Sequence, residues 1–488
     1  MVESGKQPES TNSSSHATEK FVFWDGDSKI VPHLMYEYFA KIGIGKYYVE
    51  IANWKNSEPL IVKVNGNIIS EVNVAYLIET AKNYILKCTE ESGESGPILD
   101  SFHRNTSLFG ARNLKMLPTL KLEILKDTKG SGFFFFRNGV AEVSSTEIKI
   151  RKYDEFDGYV WENSIIDHDF SIVTPNDLEK KCNFMQFLHD LTVVDDKSGS
   201  AERFNSLQSA VGYLLHKFKD GNTNKAIILM DVFVDGQPNG GSGKSLLVTS
   251  IGKLRKLSLL DGKKFDPKEW FALSSVGLDT SVLLYDDVKK DFNFEHIFSQ
   301  LTGGMEVRRK YKDHIRVPHE ESPKVALTTN YAINGDSSSH RRRKFEFEVS
   351  ATYSANFSPR DKFNKNFFDN WNKEEWNYFY NTMFQCLRYF LKNGLVESEP
   401  INIRYTKLVN NTCEEFIEFA DSKVEKDKQM DKKLLYADFI KEYPEYKYDL
   451  KQRVFTLWLR AWGEYNKFIR TEGHSGSMSY ILFTDSST

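Results

Sequence analysis

The spacing of apolar and polar residues changes twice along the chain. Up to about residue 195, short alternating runs such as LIVKV and NIISEV predict half-buried strands, and VAYLIETAKNYILKC has the spacing of an amphipathic helix. GFFFFRNGVAEVS adds a further strand pattern. We therefore expect an accessory α/β domain at residues 20–195, preceded at residues 1–19 by a polar leader whose composition predicts a disordered tail.

The second pattern starts at SLQSAVGYLLHKFK, which predicts a helix. It is followed by the apolar strand KAIILMDVFV, a glycine-rich loop and the helical run SLLVTSIGKLRKL. This order of strand, loop and helix predicts an α/β domain with a phosphate-binding loop at residues 196–360.

The last part of the chain is helical and aromatic. Residues 361–430 predict a helical region and a charged linker, and residues 431–488 predict two helices followed by two strands around a glycine turn. That order outlines a winged helix, whose Arg453, Arg460 and Lys467 could face the phosphates of duplex or origin DNA. Winged helices also serve as protein contacts, so both uses stay open.

Composition narrows the classes of partner. The formal charge is -3 over 488 residues, with 40% apolar and 14% aromatic residues, so the chain can build cores but has no global basic field for nucleic acid. Any such contact must come from local patches. No apolar run reaches the roughly 18 residues of a membrane helix, so we expect no membrane partner. The four cysteines are far apart and form no CxxC pair, which favours a reducing compartment over a zinc or disulfide framework.

The glycine-rich loop, QPNGGSGKSL, is the first candidate site. Glycines let backbone N–H groups wrap a phosphate, and the start of the next helix adds partial positive charge. We expect Lys244 to face the β and γ phosphates of ATP and Ser245 to hold Mg²⁺. A glycine-rich surface turn is the alternative, because Pro238 stands where the phosphate-loop pattern has its first glycine. The expected nucleotide contacts are Asn239, Gly240, Gly241, Ser242, Gly243, Lys244, Ser245 and Leu246.

Two further apolar strands end in polar residues. SVLLYDDVKK contains Asp286 and Asp287, and carboxylates at the carboxyl end of a strand lie beside a phosphate loop. One of these carboxylates is expected to hold Mg²⁺ through water, and its neighbour to orient or deprotonate the attacking water; we assign the metal to Asp286. SPKVALTTNY presents Asn330, which could sense the γ phosphate or position water. Ordinary strand-ending turns are the alternative for both motifs.

Two basic clusters complete the set of motifs. Arg341, Arg342 and Arg343 precede an alternating strand, and arginine is suited to stabilising phosphoryl charge in trans. VRRKYKDHIRVP alternates basic and aromatic residues, which favours a hairpin whose tip enters a pore; an exposed edge protected by charge is the alternative. A solvated basic face is the alternative for the arginines. The DNA contacts expected in the hairpin are Arg308, Arg309, Lys310, Lys312 and His314.

In this order the motifs resemble those of superfamily 3 helicases, the ring-forming branch of the AAA+ ATPases, and in particular the poxvirus and phage primase-helicase-like group. The resemblance rests on NGGSGKS, LLYDDVK, LTGGMEVRRKYKDHIRVP, ALTTNY and DSSSHRRRKFEFE. Two positions depart from the family pattern. One is Pro238 in the loop, and the other is Asp287, where many AAA+ proteins carry glutamate.

The resemblance implies an AAA+-type P-loop NTPase core that uses ATP and Mg²⁺. It also implies a homo-hexamer that moves on single-stranded DNA through a central pore with 3′ to 5′ polarity. The chain would then be a replicative DNA helicase of a phage, plasmid or related mobile element, in the cytoplasm of a bacterial host. The implied catalytic residues are Lys244, Asp286, Asp287 and Asn330, with Arg341 or Arg342 acting on a neighbouring subunit's site.

Two alternative functions remain open, one for the accessory domain and one for the whole chain. IIDHDF, with Asp167, His168 and Asp169, is the nearest candidate for primase chemistry, yet a polar strand end explains it as well. The accessory domain is therefore expected to be a scaffold or a DNA-loading domain. The alternative to a helicase is a nucleotide-switched AAA+ ATPase that binds DNA or a partner without unwinding, as in a defence or partition system. Such a switch needs neither pore cations nor trans arginines.

Overall fold

A computed structural model of the chain describes residues 21–51, 54–55, 58–194, 200–221, 224–234, 237–238, 240–308, 315–333, 335, 337–476 and 478–485. These residues form two units. The first comprises its described residues up to Leu125 together with Tyr153–Ile165. The second comprises Lys126–Lys152 together with the described residues from Ile166 onward.

The first unit contains a five-stranded mixed sheet and four helices. Its longest helix, Val74–Thr89, buries Leu77, Ala81 and Ile85, which recur every fourth residue, and the Asn73 side chain caps its N-terminus. This helix confirms the prediction from apolar spacing. In spatial order the strands are Val160–Trp161, Ile68–Glu71, Leu60–Asn65, Ile44–Tyr47 and Thr119–Leu120. The other helices are Pro32–Lys41, Ser95–Arg104 and Ala111–Leu114, and a separate strand pair is Glu50–Ile51 and Trp54–Lys55.

A five-stranded parallel sheet is the centre of the second unit. Every residue of its first and fourth strands is buried, as expected for a parallel sheet that is covered on both faces. The strands are β1 (Ala226–Asp231), β2 (Leu257–Asp261), β3 (Val282–Val288), β4 (Lys324–Thr329) and β5 (Lys344–Val349). Their spatial order is β2-β3-β4-β1-β5. This unit is therefore mixed α/β with a parallel sheet, in agreement with the predicted α/β class.

Strand β1 ends earlier than the sequence predicted. The run KAIILMDVFV was expected to form one strand, but β1 stops at Asp231, whose side chain accepts a hydrogen bond from Ser242 in the glycine loop. Phe233–Val234 pairs instead with Gln237–Pro238 in a short antiparallel ladder. Pro238, which replaces the first glycine of the phosphate-loop pattern, belongs to this ladder, and a proline is tolerated in such an edge strand.

Two long helices of the second unit pack closely on each other. They are α1 (Ser200–Leu215) and α4 (Lys373–Asn393), and their backbones meet at Gly212, where a side-chain carbon would overlap the carbonyl group of Cys386. Between them along the chain lie α2 (Lys244–Ile251), directly after the glycine loop, and α3 (Ser338–Arg341). The remaining short helices outside the C-terminal part are Pro175–Lys181, Asn183–Asp190, Phe298–Thr302 and Pro359–Phe363.

A buried ion pair holds a three-stranded antiparallel sheet in this unit. Arg255 lies 2.7 Å from Asp127 and donates a second hydrogen bond to the carbonyl group of Phe133. Nearby, the Nε2 atom of His216 lies 2.8 Å from the Thr128 carbonyl oxygen, and burial lowers the pKa of His216 to about 4. The strands are Ser131–Phe136, Gly139–Ser144 and Ile148–Arg151.

The C-terminal part of the second unit has its own aromatic core, which includes Phe416, Phe439 and Phe455. Two helices followed by two strands were predicted there, and the structure confirms these elements. The helices are Ile403–Asn411, Glu414–Lys423, Lys432–Glu442 and Gln452–Tyr465, and the strands, in spatial order, are Met430–Asp431, Met478–Thr484 and Ile469–Ser475. Within the part of the chain that the structure describes, no helix is both long and apolar enough to span a membrane.

Candidate functional site

The glycine loop takes a conformation that requires glycine at two positions. Gly241 and Gly243 have φ of +82° and +94°, in the left-handed region. A side-chain carbon at Gly241 would lie 2.9 Å from the backbone nitrogen of Ala355, and one at Gly243 would lie 3.0 Å from the ring of Phe187. Of the predicted nucleotide contacts, Gly240, Gly241, Ser242 and Gly243 belong to the loop, Lys244, Ser245 and Leu246 start α2, and Asn239 lies outside the described residues.

The ammonium group of Lys244 is held by a buried carboxylate. It pairs with Asp231 at the end of β1, and the two side chains are 7% and 0% exposed. Lys244 also lies 3.2 Å from Ser242 Oγ and 3.2 Å from Asn330 Oδ1. Burial lowers the pKa of Lys244 and raises the pKa of Asp231, because a low-dielectric site disfavours both charges. One oxygen of Asp231, Oδ2, is buried without a hydrogen-bond partner among the described residues.

Sequence reasoning missed Asp231. Its only signal was an acidic residue at the end of the otherwise apolar run AIILMD, which is also how an ordinary strand end looks. In the structure its carboxylate accepts hydrogen bonds from both Ser242 and Lys244, so it connects the end of β1 to the far side of the loop. The loop is therefore closed by a side chain that precedes it.

A second group of contacts surrounds Asp286. Ser245 Oγ donates a 2.7 Å hydrogen bond to Asp286 Oδ1, and Thr328 Oγ1 donates one of 2.5 Å to the same oxygen. The structure thus brings together the two residues predicted to bind metal. Hydroxyl and carboxylate oxygens are ligands that suit Mg²⁺, which is usually bound through one or two carboxylates together with substrate phosphates. Among the described residues, no cluster of three histidine, cysteine or acidic side chains could hold a metal ion.

Asp287 leaves the regular course of β3. Pairing of β3 with β4 shifts register between Tyr285 and Val288, and Asp287 has φ of +56°. Its backbone N–H donates to Thr328 Oγ1 at 2.9 Å, and its carboxylate Oδ2 lies 2.5 Å from Lys263 Nζ. Adjacent carboxylates therefore have different partners: Asp286 faces the start of α2, whereas Asp287 is held by the turn after β2. Sequence reasoning did not single out Lys263.

The three arginines before β5 differ in their surroundings. Arg341 and Arg342 are exposed at the end of α3. The guanidinium group of Arg343 lies 4.6 Å from the ring centre of Phe298 and donates a 3.0 Å hydrogen bond to the carbonyl oxygen of Ser339. Arg343 therefore contacts residues of its own chain, whereas the side chains of Arg341 and Arg342 are exposed.

The basic hairpin is described at its base only. Met305–Val307 pairs with Ile315–Val317, and the predicted DNA contacts Arg309, Lys310, Lys312 and His314 lie outside the described residues. Arg308 stacks 3.6 Å above the ring of Trp270 and donates a 2.9 Å hydrogen bond to Glu306. Trp270 is 59% exposed. An exposed aromatic ring and a cation thus lie together where the hairpin leaves the fold.

The motif IIDHDF has an arginine between its carboxylates. Arg137 lies 3.4 Å from Asp167 and 3.5 Å from Asp169, which are both exposed. His168 Nδ1 lies 2.6 Å from the hydroxyl group of Tyr380, and burial lowers the pKa of this histidine. These contacts explain the residues as an exposed ion-pair cluster beside a partly buried histidine.

Comparisons with known proteins find low similarity. No family model matches the chain, and no curated protein matches it. Among solved structures, the A form apo structure of the NrS-1 C-terminal region matches with a TM-score of 0.40 and 11% identity, over 93% of this chain and 100% of that one. A structure of residues 305–718 of the same region matches with a TM-score of 0.38 and 12% identity, over 93% of this chain and 99% of that one. The structure of a JCV helicase with a bound acetamide compound matches with a TM-score of 0.24 and 14% identity, over 59% of this chain and 73% of that one.

Proposed function

We propose that this chain is an AAA+-type ATPase that moves on single-stranded DNA as a helicase. The observation that carries the proposal is the meeting of Lys244, Asp286 and Asn330 around the glycine loop, at one edge of the parallel sheet. These residues come from the helix after β1, from β3 and from the end of β4. The order β3-β4-β1 supports the AAA+ arrangement, because it makes these three segments neighbours.

ATP binding in this proposal uses groups that are already close together. The glycine loop and the N-terminus of α2 would surround the phosphates, and Lys244 would exchange Asp231 for the β and γ phosphates. Ser245 and Asp286 would hold Mg²⁺, which neutralises charge on these phosphates when it is bound. Asn330, 3.2 Å from Lys244, would lie beside the γ phosphate.

Hydrolysis requires a water positioned in line with the γ phosphate. Asp287 would orient this water and accept a proton from it as the water oxygen bonds to the γ phosphorus. The bond from that phosphorus to the bridging oxygen breaks with its electron pair on ADP, and the proton passes from Asp287 to solvent. Aspartate here is shorter than the glutamate of many AAA+ proteins, and the turn after β2 brings a lysine against it.

A ring of identical subunits, expected to be a hexamer, completes the proposal. Arg341 or Arg342 would reach the γ phosphate bound by the neighbouring subunit, which their exposure permits. The hairpins from Met305 to Val317 would line a pore for single-stranded DNA, with Arg308 at the base.

Duplex or origin binding by the C-terminal part is a second proposal. Arg453 and Lys467 are exposed there, whereas Arg460 is held by Glu472.

ATP hydrolysis is the first test of this function. The purified wild type should hydrolyse ATP when Mg²⁺ is present, and Lys244→Ala should abolish turnover because the point charge facing the phosphates is removed. Lys256→Ala is the matched control, since Lys256 pairs with the exposed Asp279. A Lys244→Ala protein with wild-type turnover would overturn the nucleotide site.

Unwinding of a forked DNA duplex is the second test. Lys312→Ala should keep ATP hydrolysis near normal without DNA but lose stimulation by single strands, and its affinity for single-stranded DNA should depend less on salt because fewer counterions are released. It should also fail to unwind the fork. A variant that unwinds like the wild type would remove the hairpin from the proposal. A wild type that hydrolyses ATP but unwinds no fork would favour the nucleotide-switched ATPase.

A further inference from the structure

The turn after β2 places a lysine on the carboxylate that the hydrolysis step uses. Lys263 Nζ lies 2.5 Å from Asp287 Oδ2. We propose that Lys263 is a positioning residue for ATP hydrolysis: it binds one oxygen of Asp287 and so directs the other, Oδ1, to the attacking water. This inference rests on the proposed function, and it assigns a residue outside the glycine loop and the predicted motifs to the same reaction.

The local backbone fixes the position of Lys263. Asp261 Oδ1 accepts the backbone N–H groups of Lys263 and Lys264 at 3.0 and 3.3 Å, which forms a tight turn at the end of β2. Gly262 donates a 2.6 Å hydrogen bond to the carbonyl oxygen of Asp286. A side-chain carbon at Gly262 would lie 2.7 Å from that same oxygen, so only glycine lets the turn approach β3 this closely. The turn and the bulge in β3 are therefore held against each other.

The bulge makes the Asp287 side chain depend on this turn. In a regular strand, successive side chains point to opposite faces of the sheet, but Asp287 has φ of +56° and lies where the pairing with β4 shifts. Its neighbour Asp286 is anchored by Ser245 and Thr328. For Asp287 the corresponding side-chain anchor is Lys263. Fixing a carboxylate before the reaction reduces the orientational cost of placing the water.

The ion pair between Lys263 and Asp287 lies at the surface of the protein. The Lys263 and Asp287 side chains are 60% and 43% exposed, and exposed ion pairs add little to folding stability. The hydrogen bond to Asp287 raises the pKa of Lys263, so the lysine stays charged over the neutral range. Removing the lysine should therefore leave the fold intact while freeing the Asp287 side chain to rotate.

The test compares Lys263→Ala with a neighbouring control. Lys263→Ala should lower kcat for ATP hydrolysis by about tenfold or more, while KM and the Kd for a fluorescent ATP analogue change less than about twofold. Its thermal midpoint should equal that of the wild type. Lys263→Arg, which keeps the charge, should recover part of kcat. Lys264→Ala is the matched control, because Lys264 is the next lysine along the turn and pairs with Asp261 instead.

A double-mutant cycle decides whether Lys263 acts through Asp287. In single-turnover hydrolysis, Lys263→Ala should lower the rate of the wild type but have no further effect on Asp287→Asn, because the partner is already lost. Equal effects in both backgrounds, or a Lys263→Ala protein with wild-type kcat, would overturn the positioning role and leave the ATPase proposal intact. A wild type that neither binds nor hydrolyses ATP would overturn the proposed function and this role together.

Discussion

Asp231 pairs with Lys244 across the glycine loop, so the carboxylate that precedes the loop holds the ammonium group that follows it. Both side chains are buried, and oxygen atoms of Ser242 and Asn330 also lie within hydrogen-bond distance of the ammonium group. In the proposed site the triphosphate competes with Asp231 for this charge. The affinity of the site for nucleotide therefore includes the cost of opening an existing ion pair.

Asp231→Asn should lower the folding stability of the protein and increase the extent to which bound nucleotide raises that stability. Removing one partner of a buried pair leaves the other charge uncompensated, which costs about 3–5 kcal/mol. ATP supplies negative charge at the same ammonium group, so it should raise the midpoint of thermal unfolding more in Asp231→Asn than in the wild type. Asp279→Asn is the control, because its pair with Lys256 is exposed. Equal shifts with ATP in Asp231→Asn and wild type would contradict the competition.

Asp286→Asn should separate nucleotide binding from turnover. The variant keeps an oxygen near Ser245 and Thr328 but loses the carboxylate charge that a magnesium ion requires. We expect a wild-type thermal midpoint, binding of a fluorescent ATP analogue without metal, and loss of hydrolysis by about 100-fold or more at any Mg²⁺ concentration. Full hydrolysis by this variant, measured as phosphate release, would exclude Asp286 as the metal ligand.

Mixed subunits can show whether an arginine acts in trans. Lys244→Ala and Arg342→Ala should each be inactive alone, but mixing them should restore part of the ATPase activity, since some interfaces then contain both intact halves. The same mixing is repeated with Arg341→Ala. Arg343→Ala is the contrasting variant, because its stack on Phe298 predicts reduced folding stability instead. No recovery with either Arg341→Ala or Arg342→Ala, once co-assembly is demonstrated, would reject the trans role.

His216 should make folding sensitive to acid. Burial and the nearby Lys324 lower its pKa from 6.5 to about 4, against the opposing effect of Asp127. As the pH falls, the imidazole of the unfolded chain binds a proton before that of the folded protein does. The contribution of neutral His216 to the free energy of unfolding is therefore complete above about pH 6.5 and is lost as the pH falls towards 4. The total loss is about 3 kcal/mol. Urea unfolding at several pH values should show a shallower acid dependence in His216→Gln than in the wild type. An unchanged dependence would show that this imidazole titrates normally.

The sequence predicted the strands that carry the site because parallel strands buried on both faces are continuous apolar runs. The glycine loop, Asp286 and Asn330 follow such runs directly, so their meeting at one edge could be expected from strand order alone. The pairing of Asp231 with Lys244 could not be predicted in this way. An aspartate that ends a strand has the same sequence pattern whether it caps a turn or binds a lysine across a loop.

Other features depend on contacts between distant residues. The bulge that separates Asp286 from Asp287 places an aspartate in the left-handed region, where a sequence signal would usually be glycine. The turn that delivers Lys263 is recognisable only once β2 and β3 are known to be neighbours. In the same way, nothing in the local pattern indicates that residues 126–152 belong to the unit of the parallel sheet, where Asp127 pairs with Arg255.

The stack of Arg308 on Trp270 has a spectroscopic consequence. The emission of an indole ring responds to a cation at van der Waals distance and to the water around it, and Trp270 has both. The chain has eight tryptophans, so the spectrum of the wild type minus that of Trp270→Phe isolates this ring. The protein therefore contains an intrinsic optical reporter at the base of its basic hairpin, which would record any displacement of Arg308 in real time without an added dye.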